Sequence, residues 1–558
     1  MKRFPGSSIP LFLFCAALAV QVSAAGTPAQ KEPATATKPA HPGQPAAAQS
    51  CDFFQKKVIA VDGNWVMPKN CQAVRARFEF RNSNSSLDCN GSTLSGMDAG
   101  QPFAALKQSY PEGKSPENAA LLIHRRTCDG ADCPPLQNIT VRNCKITNYL
   151  NGAVIVESIS EDTMKQLRNI FFAPGLSDEE KAKRITVIED RLRAQAPQKI
   201  LLENLDISNS HMHGMYVNRY VTGLTLKSSR IVNSGGVAIY LESGSRNNTI
   251  QDSYFSRNGT YDWDPEKRRR EDRKSLNKSY REAIAVDSSA ANRFIGNTFE
   301  NNGGGGIALY KNCFEHAKEK PNELPRIQHS RDNEIKGNTF RNESVGVWIA
   351  SRQSKDLSGF KCGDPVMHTK DKLIVDDKQY YRDYAERTSV IGNRFENVEQ
   401  GIIVEDNGAQ ILDNTFTGTS KDDISVGTRI RSLKEDAPVA GTKVAGNSVR
   451  SIRQAYGQGD NVFENNKQPG GAAILAPCTA PVTFKAQDAD GRYCLMEDPD
   501  SDRGKEYASG TTRKLKDETA EGNKEGAWGS GVFSCTNGTW RAQQATCCFG
   551  KSCKPGAD

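Results

Sequence analysis

The stretch NSHMHGMYV (209–217) sets His211 and His213 two residues apart, with Tyr216, Asn218 and Arg219 close behind. An imidazole can take a proton near neutrality, a phenol can give one, and a guanidinium can neutralise a carboxylate. Similar side chains recur downstream: Tyr240 and Glu242, Arg281 and Asp287, Tyr310 and Lys311, then Trp348. Two chemistries could use them. Taking the proton beside a uronate carboxylate, for β-elimination or inversion at C5, needs a base, a proton donor and a cation. His211 or His213, Tyr216 or Tyr240, and Arg219 or Lys311 would fill those roles. Hydrolysis of a glycosidic bond instead needs two carboxyl groups of unequal pKa, for which Glu242 and Asp287 are candidates. Whether these side chains meet depends on the elements that carry them.

Those elements repeat. IGNTFENN (295–302), KGNTFRNE (336–343), IGNRFENV (391–398), LDNTFTGT (412–419) and AGNSVRSI (445–452) share one phrase, and the first three lead into GIALY, GVWIA and GIIVE. Upstream, ILLENLDISNSHMHGMYVNR and LTLKSSRIVNSGGVAIYLES begin 24 residues apart, at 200 and 224. Short alternating strands separated by Asn/Gly corners at a period in the twenties predict a solenoid, because one unit cannot bury its apolar face alone. Asn297, Asn338, Asn393 and Asn414 are expected to form a ladder, with Phe299, Phe340, Phe395 and Phe416 stacked inside.

Alternation then sorts the strand after each glycine. Inward go Met215 and Val217, Ile239 and Leu241, Ile284 and Val286, Ile307 and Leu309, Val347 and Ile349, Ile402 and Val404. Tyr216, Tyr240, Ala285, Ala308, Trp348 and Ile403 form one outward column. Asn218, Glu242, Asp287, Tyr310, Ala350 and Glu405 form the next. This predicts an exposed, shallow groove for a sugar chain, with Tyr310, Trp348, Asn218 and Arg281 binding substrate.

The repeats, together with NSSLDCNGSTLSG (84–96), resemble the right-handed parallel β-helix superfamily of pectate-lyase-like and alginate-epimerase-like proteins over residues 75–455. The resemblance implies an all-β, right-handed parallel β-helix that acts on carbohydrate. Tyrosine and histidine serve as acid and base in several such lyases and epimerases. The DPHD phrase of alginate epimerases and the NTD, DD, GH and RIK motifs of polygalacturonases are absent, so no catalytic residue carries over. The expectation is a lyase or C5-epimerase of an acidic polysaccharide. The alternatives are a glycoside hydrolase with paired carboxylates and a non-catalytic envelope glycan-binding protein.

The remaining chain divides readily. Lys2 and Arg3, an apolar run and Val22-Ser23-Ala24 read as a signal peptide over 1–24, followed by an Ala/Pro-rich linker over 25–50. The β-helix is expected over 51–468, with insertions at 159–198, 259–281, 313–331 and 354–385, and a Cys-rich domain over 469–558. In the first insertion, Ser177 with Glu180 and the stripe Ile185, Ile188, Leu192 predict a helix. The charge run DPEKRRREDRK reads as a solvated loop, not a nucleic-acid site. Of 15 cysteines, one lies in the leader, which leaves an even set for disulfides in an oxidising compartment, periplasmic or extracellular. Candidates are Cys128, Cys133, Cys313, Cys362, Cys478, Cys494, Cys535, Cys547, Cys548 and Cys553, with Cys313 expected to pair with Cys362. In the tail, Trp528 and Trp540 suit either a small core or sugar binding. Net charge is +7, a modest excess that suits an anionic glycan partner. A monomer without cofactor or metal is expected; calcium lacks an Asp-rich ligand run.

Overall fold

Strands of three to six residues recur in threes along the chain, because each Asn/Gly corner stops a strand before it can lengthen. The computed structural model describes residues 51–98, 119–124, 134–157, 161–259, 280–314, 324–360, 362, 371–432, 438–454, 460–479, 484–487, 493–496, 505–516 and 527–549. The expected signal peptide and linker, and the whole of the charge run, lie outside them.

Among the described residues sheets A, B and C hold 12, 12 and 10 strands: each coil gives one strand to A and one to B, and all but the last two coils give one to C. Strands pair in parallel with the equivalent strand of the next coil; Ile200 faces Leu224, and Val347 faces Ile402. Sheet A runs from Val58–Val61 to Ile452–Gln454, and sheet B from Asn64–Val66 to Val462–Glu464. All twelve residues read as inward-facing on sheet A are buried in one continuous core. A slip of one residue would expose every one of them, which pins the register.

The polar corners are tied as firmly as the core. The Asn338 backbone N–H donates to Asn393 Oδ1 at 2.8 Å, while Asn393 Nδ2 donates to the Ile335 carbonyl at 2.9 Å. The pattern continues through Asn414, Asn447 and Asn466, so buried amide groups satisfy turn N–H and C=O groups that no strand could reach. Beneath it, Phe299, Phe340, Phe395 and Phe416 stack with centroids 4.8, 4.9 and 4.5 Å apart.

The first insertion holds two helices, α1 (Glu161–Phe171) and α2 (Asp178–Gln195). Ser177 caps α2 by accepting from Glu180 N at 3.2 Å, and Ile185 and Leu192 are buried. Only α2 is signalled in the sequence. The insertion over 354–385 contains a hairpin, Lys372–Val375 with Lys378–Tyr381. It is fastened by Cys313–Cys362, and further disulfides join Cys51–Cys71, Cys89–Cys144 and Cys478–Cys535. Cys128, Cys133 and Cys553 lie outside the described residues, as do the side chains of Cys494, Cys547, Cys548 and Trp528. Trp540 is core: it is buried and its indole N–H donates to the Thr479 carbonyl at 2.6 Å. The hairpin Ala527–Thr536 with Thr539–Phe549 turns at Asn537-Gly538, which seats against Phe463 and closes the last coil. Asn537 Oδ1 accepts from Ala476 N at 2.8 Å. Among the described residues no helix is long and apolar enough to cross a membrane.

Candidate functional site

The outer columns of sheet A do converge, as the parallel register requires. Tyr216 pairs with Tyr240, Tyr240 with Ala285, Ala285 with Ala308, and Ala308 with Trp348. The two alanines leave room for larger neighbours, and Tyr240 and Tyr310 cluster with them and with Tyr216. Each phenol is then held by a carboxylate. Tyr216 donates to Glu242 at 2.9 Å, Tyr240 to Asp287 at 2.7 Å, and Tyr310 to Glu282 at 2.9 Å. His213 opens its strand half-buried, with its ring 5.5 Å from Tyr216 and 5.7 Å from Tyr240. His211 and Asn218 are also half-buried.

The exposed groove is not what forms. Arg219, Tyr240, Glu242, Asp287, Tyr310 and Lys311 are all buried, with Asp287 at 0 % exposure. The cause lies in the insertions, which fold back over the sheet. Arg326 reaches from the third insertion to Asp287 at 2.9 Å and to Glu242 at 3.4 Å. Arg219 also faces Glu242, at 3.7 Å, and Lys311 pairs with Asp371 of the fourth insertion at 2.6 Å. Half-exposed positions remain at Tyr216, Arg281, Trp348 and Arg352. Lys355 lies 4.9 Å over the Trp348 ring, and Arg352 lies 5.1 Å over Tyr310 and 5.3 Å over Phe360.

These contacts set the charges. Burial drives the His213 imidazole down to about 3, helped by Arg281, so it is neutral and only a feeble base. Burial lifts the Tyr216 and Tyr240 phenols well above their usual range, and their carboxylate partners add to it. Burial also pushes Asp287 upward, but Arg326, the Asn312 N–H and Tyr240 outweigh it and hold the carboxyl below its usual range. Asp383 behaves oppositely. Burial pushes it up to about 7, although the N–H groups of Lys311 and Arg352 point at it. The backbone N–H groups of consecutive residues Lys311 and Asn312 thus hold Asp383 Oδ1 and Asp287 Oδ1 respectively, the latter at 3.0 Å. Glu405, in the outward column, is lifted by burial to about 8 and accepts from Ser354.

Sequence reasoning missed Arg326, Asp371 and Asp383, which lie in insertions where no periodicity says onto which coil they fold. It also stopped the outer column too early. Ile123 pairs with Val156 and Val156 with Val217, so His124 and Glu157 continue the column that holds Asn218 and Glu242. The strand phrases LLIH and AVIVE carried that signal. His124 Nδ1 lies 2.8 Å from Glu157, and Nε2 lies 3.1 Å from Glu79. Burial lowers the His124 pKa, but the two carboxylates outweigh it and raise it overall. Among the described residues, no group of three or more His, Cys, Asp or Glu side chains is placed to hold a metal ion.

Residues 188–362 match the family model described as a right-handed β-helix region. The solenoid is a right-handed parallel β-helix. No curated protein matches the chain in sequence. Among solved structures, it is similar to the catalytic domain of a GH87 α-1,3-glucanase in complex with nigerose, at 10% identity and a TM-score of 0.36, over 75% of this chain and 61% of that one. The β-helix thus spans about three fifths of that glucanase chain. The surface adhesin PfbA of Streptococcus pneumoniae is similar at 13% identity and a TM-score of 0.32, over 79% of this chain and 91% of that one. The catalytic unit of a thermostable GH87 α-1,3-glucanase from Streptomyces thermodiastaticus follows at 11% identity and 0.30, over 78% and 66%.

Proposed function

We propose that the protein acts on a polysaccharide at the outer face of sheet A and hydrolyses a glycosidic bond there. One observation carries this reading: the carboxyl groups of Asp287 and Asp383 sit on neighbouring backbone N–H groups, those of Asn312 and Lys311. Asp383, lifted to about 7, would give its proton to the leaving oxygen; Asp287, held ionised, would activate water or attack the sugar. Tyr216 and Trp348 supply half-exposed rings for sugar faces. A lyase or epimerase is less well supported. Its base, His213, is too weak, and Arg219 and Lys311 already face Glu242 and Asp371.

Complete burial of Asp287 and Asp383 favours a second reading, a glycan-binding protein that turns nothing over. Incubation with α-glucans, β-glucans and polyuronates separates the two. New reducing ends without ultraviolet absorbance, lost in Asp287→Asn and Asp383→Asn, mean hydrolysis. Absorbance from an unsaturated product would overturn it in favour of a lyase, and binding without product would leave the second reading.

A further inference from the structure

A different face of the solenoid has the marks of a ligand site. Where sheet C turns into sheet A, an open groove of about 670 Å³ crosses successive coils and includes Tyr280, Asn301, Asn342, Glu343, Asn397 and Glu399. Asn301, Asn342 and Asn397 occupy one position on three consecutive coils, since Glu300, Arg341 and Glu396 pair in register before them. Their side chains are exposed and about 4.8 Å apart along the axis. All three residues have positive φ, of 58°, 54° and 53°, which alone would explain an asparagine at a turn.

Two features go further than turn chemistry. At the same corner of two earlier coils a pair of amides is joined, with Asn233 Nδ2 donating to Asn209 Oδ1 at 3.3 Å, whereas among the described residues these three amides make no such bond. The floor is also irregular. The inner ladder runs from Asn258 to Asn302, whose Nδ2 donates to the Phe255 carbonyl, and then meets Glu343 in place of an asparagine. Glu343 is 2 % exposed, its Oε1 accepts from Asn302 Nδ2 at 2.7 Å, and its Oε2 has no protein partner. At the rim, Tyr280 is 40 % exposed, and Glu399 is neutralised by Lys421.

We propose that this corner groove is a second carbohydrate site, one that takes a neutral oligosaccharide lying along the solenoid axis. Unpaired amides offer a donor and an acceptor to each sugar ring, as vicinal hydroxyl groups require. Tyr280 gives a ring for the apolar face of a sugar, and the lining carries little net charge. The groove makes no use of Asp287, Asp383 or the rest of the sheet A cluster, so it stands whether or not that cluster turns over substrate.

Saturation-transfer NMR on the full chain with maltohexaose and with cellohexaose tests it. At least one hexaose is expected to receive saturation, at least fivefold less in the Asn342→Gly/Asn397→Gly double variant. Glycine keeps the left-handed turns and removes only the amides. Tyr280→Ala should weaken transfer as well. Transfer to neither hexaose, or undiminished transfer in the double variant, would overturn the site. Absent hydrolysis with intact transfer would refute only the proposed reaction.

Discussion

Asp383 and Glu343 are carboxyl groups lifted by burial, and they lead to different experiments. If Asp383 is the acid, it must keep its proton, so the rate should fall as pH rises through about 7. Asp287 stays ionised below the usual carboxylate range, which puts the acid limb lower still. A pH–rate profile with a flat alkaline side would remove Asp383 from that role, and Asp383→Asn should cost about 10²-fold or more in kcat. Glu343 is a matter of stability. Its pKa rises from 4.5 to about 8 in the fold, so its contribution is full below about 4.5, and is lost as pH rises through about 8. An asparagine there would extend the ladder without titrating. Melting curves from pH 5 to 9 should therefore fall less steeply for Glu343→Asn than for the parent; equal slopes would show the carboxyl finds a partner when ionised.

At the scale of the element, the amide ladder is what converts stacked coils into a rigid column. Asn393→Ala removes the acceptor for the Asn338 N–H and the donor for the Ile335 carbonyl, leaving both buried and unpaired. The cost should be at least about 2 kcal/mol, seen as a lower urea midpoint with an unchanged slope. An exposed corner such as Asn397→Gly should shift it far less. The ladder was legible because the same letter returned at the same place in each phrase. Arg326 and Asp383 were not, since an insertion has no period and its path over the sheet depends on contacts between residues far apart in sequence. The aromatic outer column was legible as a column, and its burial was not, for the same reason.

For the molecule as a whole, the open lower end of the solenoid is the weak point, because unpaired strand edges invite further pairing. The C-terminal hairpin covers it at Gly538, whose φ is 84° and whose added Cβ would come within 2.5 Å of the Phe463 ring. Gly538→Val should lift this turn from its seat, lower the melting temperature by several degrees and increase aggregation. An unchanged melting curve would mean that Cys478–Cys535 alone holds the tail in place.

By itself the sequence determined the coil, its register, the inward column and the side of the sheet that carries tyrosines, carboxylates and cations. These follow from a period of two within each strand and a recurring corner between strands, both local properties that repetition amplifies. Which of those groups remain available was decided by tertiary structure alone. Long-range folding of the insertions brought Arg326 to Asp287, Asp371 to Lys311 and Asp383 to the neighbouring N–H, and so exchanged an open charged surface for a buried, paired one.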